Sequence, residues 1–150
     1  HNFKTIYCID AGVIEPGRHR SAFDSQQETI DWGPDILVET PDNIYVSPAT
    51  ILAHESAHAV KYDEILQSND ATERKQYINS VQSIPDYEYF SKEEFRVITG
   101  PEQTAARKHR EIRNDQVTRK SHKNSKLIPI PDGISFEELS KSIFEHNNLL

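Results

Sequence analysis

The chain has a single cysteine and no methionine, and each of these shortages excludes some kinds of structure or origin. Cys8 is the single cysteine among 150 residues. A lone cysteine excludes an intrachain disulfide and a zinc knuckle built from several cysteines, and it is typical of a reducing compartment. Because methionine is absent and His1-Asn2 resembles neither a translation start nor a signal peptide, we expect a fragment of a longer polypeptide.

Long apolar runs and an excess of basic charge are also missing. No apolar run approaches the roughly 20 residues of a membrane helix, so we expect no membrane span. Hydrophobic residues make up 35% of the chain and the net charge is −7, which argues against nucleic-acid binding because that function requires a basic surface. The length fits a single domain over residues 1–150.

The order of the local patterns predicts an α+β fold. Strand-forming residues concentrate at 3–9 and in short runs near 28–32, 36–39 and 44–46, with turn residues between the runs. This spacing predicts a small N-terminal antiparallel sheet. Ser47-Pro48 is typical of a helix start. Helices are predicted over residues 48–66, 71–83, 91–98, 101–113 and 135–146, with an irregular stretch or short hairpin over residues 114–133.

The helix predicted over residues 48–66 contains the sequence HESAH, residues 54–58. Residues four apart lie on the same face of a helix, so His54 and His58 can bind one zinc ion at about 2.0–2.1 Å. Both histidines share that face with apolar residues, which places them toward the protein interior. Glu55 is rotated by about 100° from His54 and can act as a general base toward water at the metal.

A second interpretation of HESAH is purely structural. The five-residue pattern arises by chance in about 3% of chains of this composition. Two histidines on an apolar helix face can be buried and hydrogen-bonded, with Glu55 as an exposed helix former. A metal site therefore requires a third ligand elsewhere in the chain.

The stretch KEEFRVITGPEQ, residues 92–103, offers three candidates for that ligand. Glu94 leans toward the interior more than Glu93 if Phe95 and Ile98 face the core, because Glu94 lies beside Phe95 and four residues before Ile98. However, Glu94 also completes a capping box that begins at Ser91, and a glutamate cannot easily fill both roles. Glu102 follows two helical turns later if the helix is only kinked, and it could orient a ligand histidine or be the third ligand itself.

Together, HESAHAV and EEFRVITG resemble the zinc peptidases whose third ligand is a glutamate, the gluzincins. The combination is similar to clostridial neurotoxin light chains and to short effector proteases of bacterial secretion systems. A closer resemblance is to the metallopeptidase toxin domains at the C-termini of Rhs-type polymorphic toxins, on the segments SPATIL, HE, H, EEFRVITG and EQ. It covers roughly residues 44–122.

The resemblance implies a compact zincin-like α+β domain that binds Zn²⁺ through His54, His58 and Glu94, with Glu55 as catalytic base. It further implies a toxin or effector that is delivered to a target cell, cleaves proteins in its cytoplasm, and is neutralised in the producer by an immunity protein. His122 is our candidate for the group that stabilises the transition state, with Arg119 next. The alternatives are a zinc amide hydrolase that does not cleave peptides and a non-catalytic interaction module with a structural HExxH helix.

Overall fold

The computed structural model describes residues 5–8, 21–82 and 88–149. The described strands are β1 (Thr5–Cys8), β2 (Ala22–Asp24), β3 (Thr29–Trp32), β4 (Ile36–Glu39), β5 (Tyr45–Val46) and β6 (Lys126–Pro129). The described helices are α1 (Pro48–Gln67), α2 (Ala71–Val81), α3 (Lys92–Val97), a π-helical turn (Ile98–Glu102), α4 (Gln103–Lys108) and α5 (Phe136–Asn148). The predicted α+β class is confirmed.

The strands form two three-stranded sheets. The first has the order β1-β3-β2, and the second has the order β5-β4-β6. β2 and β6, which lie outside the strands predicted from the sequence, form antiparallel pairs with β3 and β4. Among the predicted strands, β4 and β5 pair in the expected antiparallel way, whereas β1 runs parallel to β3. This parallel pair arises because β2 intervenes between β1 and β3 along the chain.

Helix α1 packs against both sheets and against α3, the π-helical turn and α4. The core cluster at its N-terminal half consists of apolar side chains from the second sheet, α1, α4 and the turn after α4: Val38, Ile44, Val46, Ile51, Ala106 and Ile112. Trp32 at the end of β3 donates from Nε1 to the carbonyl oxygen of Pro48 at 2.8 Å. The first sheet is thereby tied to the first turn of α1.

The N-cap of α1 is buried and held by several side-chain hydrogen bonds. Ser47 is the N-cap residue, and its hydroxyl accepts from the Thr50 backbone at 3.2 Å. The buried carboxylate of Glu111 accepts from the hydroxyl groups of Ser47 and Thr50 and from the Ser47 backbone amide. Asn147 of α5 forms hydrogen bonds with both backbone groups of Tyr45 and with the carbonyl oxygen of Glu111. The N-terminus of α1 is therefore held in place by contacts among three segments that are distant in sequence.

Two predictions about the C-terminal half are wrong. The helix predicted over residues 101–113 ends at Lys108, because Arg110 adopts a left-handed conformation with φ of 60° and the chain turns Glu111 and Ile112 inward. The stretch 114–133 contributes β6, which pairs with β4 of the second sheet rather than forming a local hairpin. The organisation as a single domain over residues 1–150 stays a prediction.

Among the described residues, no helix combines the length and the apolar character needed to cross a membrane.

Candidate metal centre

The two histidines of HESAH meet one glutamate of α3. Helical spacing on α1 brings the Nε2 atoms of His54 and His58 to 3.1 Å from each other. The carboxylate oxygens of Glu94 lie 3.3 Å from Nε2 of His54 and 3.2 Å from Nε2 of His58. These three side chains form a group that could hold a metal ion.

Each histidine is anchored through its other ring nitrogen. Nδ1 of His54 lies 2.7 Å from the Glu102 carboxylate, and Nδ1 of His58 lies 3.2 Å from the Glu93 carboxylate. An ionised carboxylate only accepts hydrogen bonds, so both Nδ1 atoms carry the proton in the neutral imidazoles. Both Nε2 atoms then present lone pairs to each other and to Glu94. Metal-ligating histidines commonly have this pattern, with a carboxylate on the far nitrogen.

The distances are compatible with one shared cation. Two ligand atoms at 2.0–2.1 Å from a tetrahedral zinc ion are about 3.3 Å apart. Here the two Nε2 atoms are 3.1 Å apart, and Nε2 of His54 and Nε2 of His58 lie 3.3 Å and 3.2 Å from the two different oxygens of Glu94. Without a positive charge among them, electron-rich atoms at this separation would repel each other. The donor set therefore fits a divalent metal that accepts imidazole and carboxylate ligands.

The charge of the surroundings agrees with this fit. Two arginines supply the counter-charges: Arg119 bonds both oxygens of Glu102, and Arg96 bonds both oxygens of Glu93. The charged groups around the imidazoles are four glutamates (Glu55, Glu93, Glu94 and Glu102) and two arginines (Arg96 and Arg119). With neutral imidazoles they leave two negative charges, which one divalent cation balances.

The pKa values of the two ligand histidines reflect the same excess of negative charge. Burial lowers the pKa of His54, but its hydrogen bonds to Glu102 and Glu94 outweigh burial and raise the pKa to about 9. The pKa of His58 is raised although burial opposes it, because Glu93 and Glu94 favour the charged imidazolium. In the absence of a metal ion, protons supply the positive charge that the cluster attracts.

The carboxylates next to the histidines stay ionised. Burial raises the pKa of Glu94 and of Glu102, but neighbouring charges prevail. The two imidazoles hold the pKa of Glu94 well below its usual range. Arg119 and His54 lower the pKa of Glu102 to about 2. The pKa of Glu93 is also lowered against the effect of burial, chiefly by Arg96 and His58.

Glu55 lies beside the cluster without joining it. Its Oε2 atom accepts from the backbone amide of Phe23 in β2 at 2.9 Å. Burial raises the pKa of Glu55 against the opposing charges of His54 and His58. The side chain also lines the cleft that His58 and Glu94 line, so it faces the space where a substrate would lie.

His122 reaches the site from the irregular stretch after α4. Its Nε2 atom lies 3.4 Å from Glu94, and its buried Nδ1 atom has no hydrogen-bond partner. Burial lowers its pKa to about 4, which keeps the ring neutral near pH 7. Phe90 packs edge-on against the ring at 5.1 Å. Arg119, our second candidate for this role, is instead committed to Glu102.

The structure separates the three glutamates that the sequence left as alternatives. Glu94 faces both Nε2 atoms, whereas Glu93 and Glu102 face the Nδ1 atoms. Ser91 caps α3 by accepting from the Glu94 backbone, but the Glu94 side chain turns to the histidines. Of the two residues expected to face the core, Ile98 is fully buried and Phe95 is exposed. The Glu94 side chain points inward because α3 packs against α1.

Sequence reasoning missed two supporting residues. Thr118 is fully buried and donates to Oε1 of Glu102 at 2.6 Å. Arg96 donates to Glu93 and to the Ala57 carbonyl oxygen in the HESAH turn. The spacing of Glu93 and Arg96, three apart on a helix, is a signal that could have identified this pair. Nothing local marks Thr118.

Comparison with known proteins gives no relative: no family model, no curated protein and no solved structure matches this chain.

Proposed function

We propose that this chain is a zinc-dependent endopeptidase and acts as a toxin or effector domain. The observation that carries the proposal is the convergence of His54, His58 and Glu94 within 3.1–3.3 Å, next to Glu55 and open to a cleft. Catalytic zinc sites have three protein ligands and leave one position for water or substrate. Zinc accepts two imidazoles and one carboxylate in such sites.

In this proposal the metal is held by His54, His58 and Glu94. When bound, zinc supplies Lewis-acid polarisation of a carbonyl group and lowers the pKa of water. Glu55 takes the proton from the attacking water and returns it to the leaving amine. The Phe23 amide holds the Glu55 carboxylate in place for both transfers, since it binds one of the two oxygens.

His122 is the proposed stabiliser of negative charge on the substrate. It lines both the cleft and the smaller cavity beside the metal ligands. A neutral imidazole donates from one nitrogen, and the nitrogen of His122 that faces the ionised Glu94 is Nε2. A rotation of the ring away from Glu94 would direct this N–H group toward a developing oxyanion, where such a group contributes about 10²–10³ in rate.

The biological part of the proposal comes from the resemblance of SPATIL, HESAH and EEFRVITG to Rhs-type toxin domains. The substrate is a protein in the cytoplasm of a target cell, and an immunity protein protects the producer by covering the cleft. Expression in bacterial cells tests this part. Growth inhibition should disappear with Glu55→Gln, while inhibition that persists in that variant contradicts a catalytic toxin.

The enzymatic part is tested on the purified domain. We expect about one zinc ion per chain, and incubation with a cell lysate should generate new protein termini. Glu55→Gln should keep the metal and lose activity by about 10²–10⁴-fold. Glu64→Gln, an exposed substitution of the same kind on the same helix, is the matched control and should keep both.

The outcomes also separate the competing functions. Zinc binding without new protein termini, together with hydrolysis of small amides, would replace the peptidase by another amide hydrolase. A domain that binds no zinc and keeps its cellular effect in Glu55→Gln would be a non-catalytic module.

A further inference from the structure

A wide cleft extends from the metal cluster along β2, α1 and α2. Its volume is about 570 Å³, within the range of about 300–1,000 Å³ that is common for ligand sites. Glu55, His58, Glu94 and His122 line its inner end. Anything bound in the outer part of this cleft would therefore continue directly into the candidate metal centre.

The outer part of the cleft is apolar although α2 is a polar, exposed helix. None of the residues of α2 is buried. Its side chains Ile78 and Val81 are 55% and 43% exposed, and both line the cleft together with Tyr77. These positions follow helical spacing and form one apolar stripe directed at the cleft.

Aromatic rings form the opposite wall. The rings of Phe23 and Tyr62 are 5.7 Å apart, and those of Tyr62 and Tyr77 are 6.3 Å apart. The three rings connect β2, α1 and α2 across the cleft. Aromatic and aliphatic side chains with a few polar groups are the usual lining of sites that take apolar groups.

The space on the other side of His54 is much smaller. A cavity of about 60 Å³ lies there between α1 and the second sheet. Ser21, Glu55 and His122 line both spaces, so the two spaces meet at the candidate base. One side of the centre can accept a large side chain, and the other has room only for a small one.

The charges in the cleft disfavour other occupants. The described residues that line it include no lysine or arginine, and its two histidines, His58 and His122, lie at the inner end. An acidic side chain would therefore meet the carboxylates of Glu55, Glu93 and Glu94 without a basic residue on the α2 side. Two of these carboxylates are already engaged, Glu93 by Arg96 and Glu94 by the histidines. A basic side chain would therefore lose its hydration for little gain, whereas an apolar one gains burial.

We propose that the α2 side of the cleft is the specificity subsite and takes one large aromatic or aliphatic side chain of an extended peptide, next to the bond to be cleaved. This inference rests on the proposed peptidase function for the identity of the ligand. Tyr77, Ile78 and Val81 are the determinants on α2, and Phe23 and Tyr62 are their counterparts across the cleft.

The first test measures binding and does not require catalysis. Capped tripeptides with a central Phe, Leu, Ala or Lys are titrated into the isotope-labelled Glu55→Gln domain, and amide shifts are followed by NMR. We expect the Phe and Leu peptides to shift amides around Phe23, Tyr77, Ile78 and Val81 and to bind at least tenfold more tightly than the Ala and Lys peptides. Equal binding of all four, binding elsewhere or no binding would overturn the inference.

Variants of α2 supply the matched control. Ile78→Asp with Val81→Asp should abolish this preference and leave the melting temperature unchanged, because both side chains are exposed. Gln76→Glu with Asn79→Asp adds the same two negative charges to the same helix outside the cleft lining and should bind like the parent. If this control weakens binding as much as the Ile78→Asp, Val81→Asp variant, charge rather than the subsite is responsible and the inference fails.

The specificity of cleavage is measured in a separate experiment. New termini produced by the zinc-loaded parent should have a large apolar residue on one side of the cut, and the Ile78→Asp, Val81→Asp variant should lose that enrichment. Cut sites without this enrichment of large apolar residues would overturn the proposed subsite. A zinc-loaded parent that cleaves no peptide overturns the proposed function instead, while the NMR preference still decides whether the cleft selects apolar side chains.

Discussion

Nδ1 of His54 lies 2.7 Å from Oε2 of Glu102, and both side chains are buried. The histidine is thus held through one nitrogen while the other faces the metal cluster. His58 repeats the arrangement with Glu93. The two anchors differ in their arginines: the side chain of Arg119 is 5% exposed and that of Arg96 is 40% exposed.

This difference predicts unequal effects of two matched substitutions. Glu102→Gln and Glu93→Gln should each weaken zinc binding by about 10–100-fold, measured by competition with a chelating dye. Glu102→Gln should also lower the free energy of unfolding by about 3–5 kcal/mol, because it leaves Arg119 buried without a counter-charge. Glu93→Gln should lower it by only about 1 kcal/mol, because water can solvate Arg96. Equal losses in denaturant titrations would contradict this account.

Glu94→Gln should affect the metal more than either anchor does. It replaces the one carboxylate that faces both Nε2 atoms, so zinc affinity should fall beyond the about 10–100-fold expected for an anchor. In the parent, zinc at 100 times its dissociation constant should add about 2.7 kcal/mol to stability. We expect the melting temperature of the parent to rise with zinc and that of Glu94→Gln to stay constant. A rise in the variant would exclude Glu94 as a ligand.

Tyr77 should ionise above the usual pH range of a tyrosine. Burial, with Glu93 as the next contribution, raises its pKa to about 12. The folded state therefore keeps the phenol neutral above pH 10, where the unfolded chain loses the proton. This contribution to stability is complete below about pH 10 and is lost as the pH rises toward about 12. Absorbance titration should show a late tyrosinate transition that Tyr77→Phe removes; a transition of unchanged shape in that variant would refute the assignment.

The two serine caps should differ in their effect on stability. Ser47→Ala removes the cap of α1 and a donor to the buried Glu111, so we expect a loss of about 2–4 kcal/mol. Ser135→Ala removes the exposed capping box of α5, formed by Ser135 and Glu138, and should cost about 1 kcal/mol. Thermal unfolding compares the two. A larger loss for Ser135→Ala would show that the Glu111 network does not stabilise the start of α1.

The local elements of the site could be predicted from the sequence because their signals are local. Ser47-Pro48 marks the start of α1, and helical spacing places His54 and His58 on its buried face. The choice of Glu94 among three glutamates depended on how α3 packs against α1. That packing is set by side chains distant in sequence. Of the two residues from which the sequence argument oriented α3, Ile98 is buried whereas Phe95 is exposed.

Contacts between segments that are distant in the chain could not be predicted from the sequence. The pairing of β6 with β4 joins residues about 90 apart, and β6 is a four-residue strand with a proline that no local pattern distinguishes from a loop. Thr118 and Arg119 reach Glu102 from an irregular segment without periodicity. The described part of the site thus depends on tertiary folding for its supporting bonds and on helix spacing for its ligands.

The π-helical turn between α3 and α4 determines how Glu94 and Glu102 share His54. In a regular α-helix, residues eight apart differ by about 80° around the axis, whereas the wider turn at Ile98–Glu102 reduces this offset and directs both carboxylates at α1. Such turns behave as one inserted residue in an α-helix, and the surroundings of Gly100 are open. A regular α-helix over the same residues would restore the offset of about 80° between Glu94 and Glu102. The common direction of the ligand and its anchor therefore depends on the width of one helical turn.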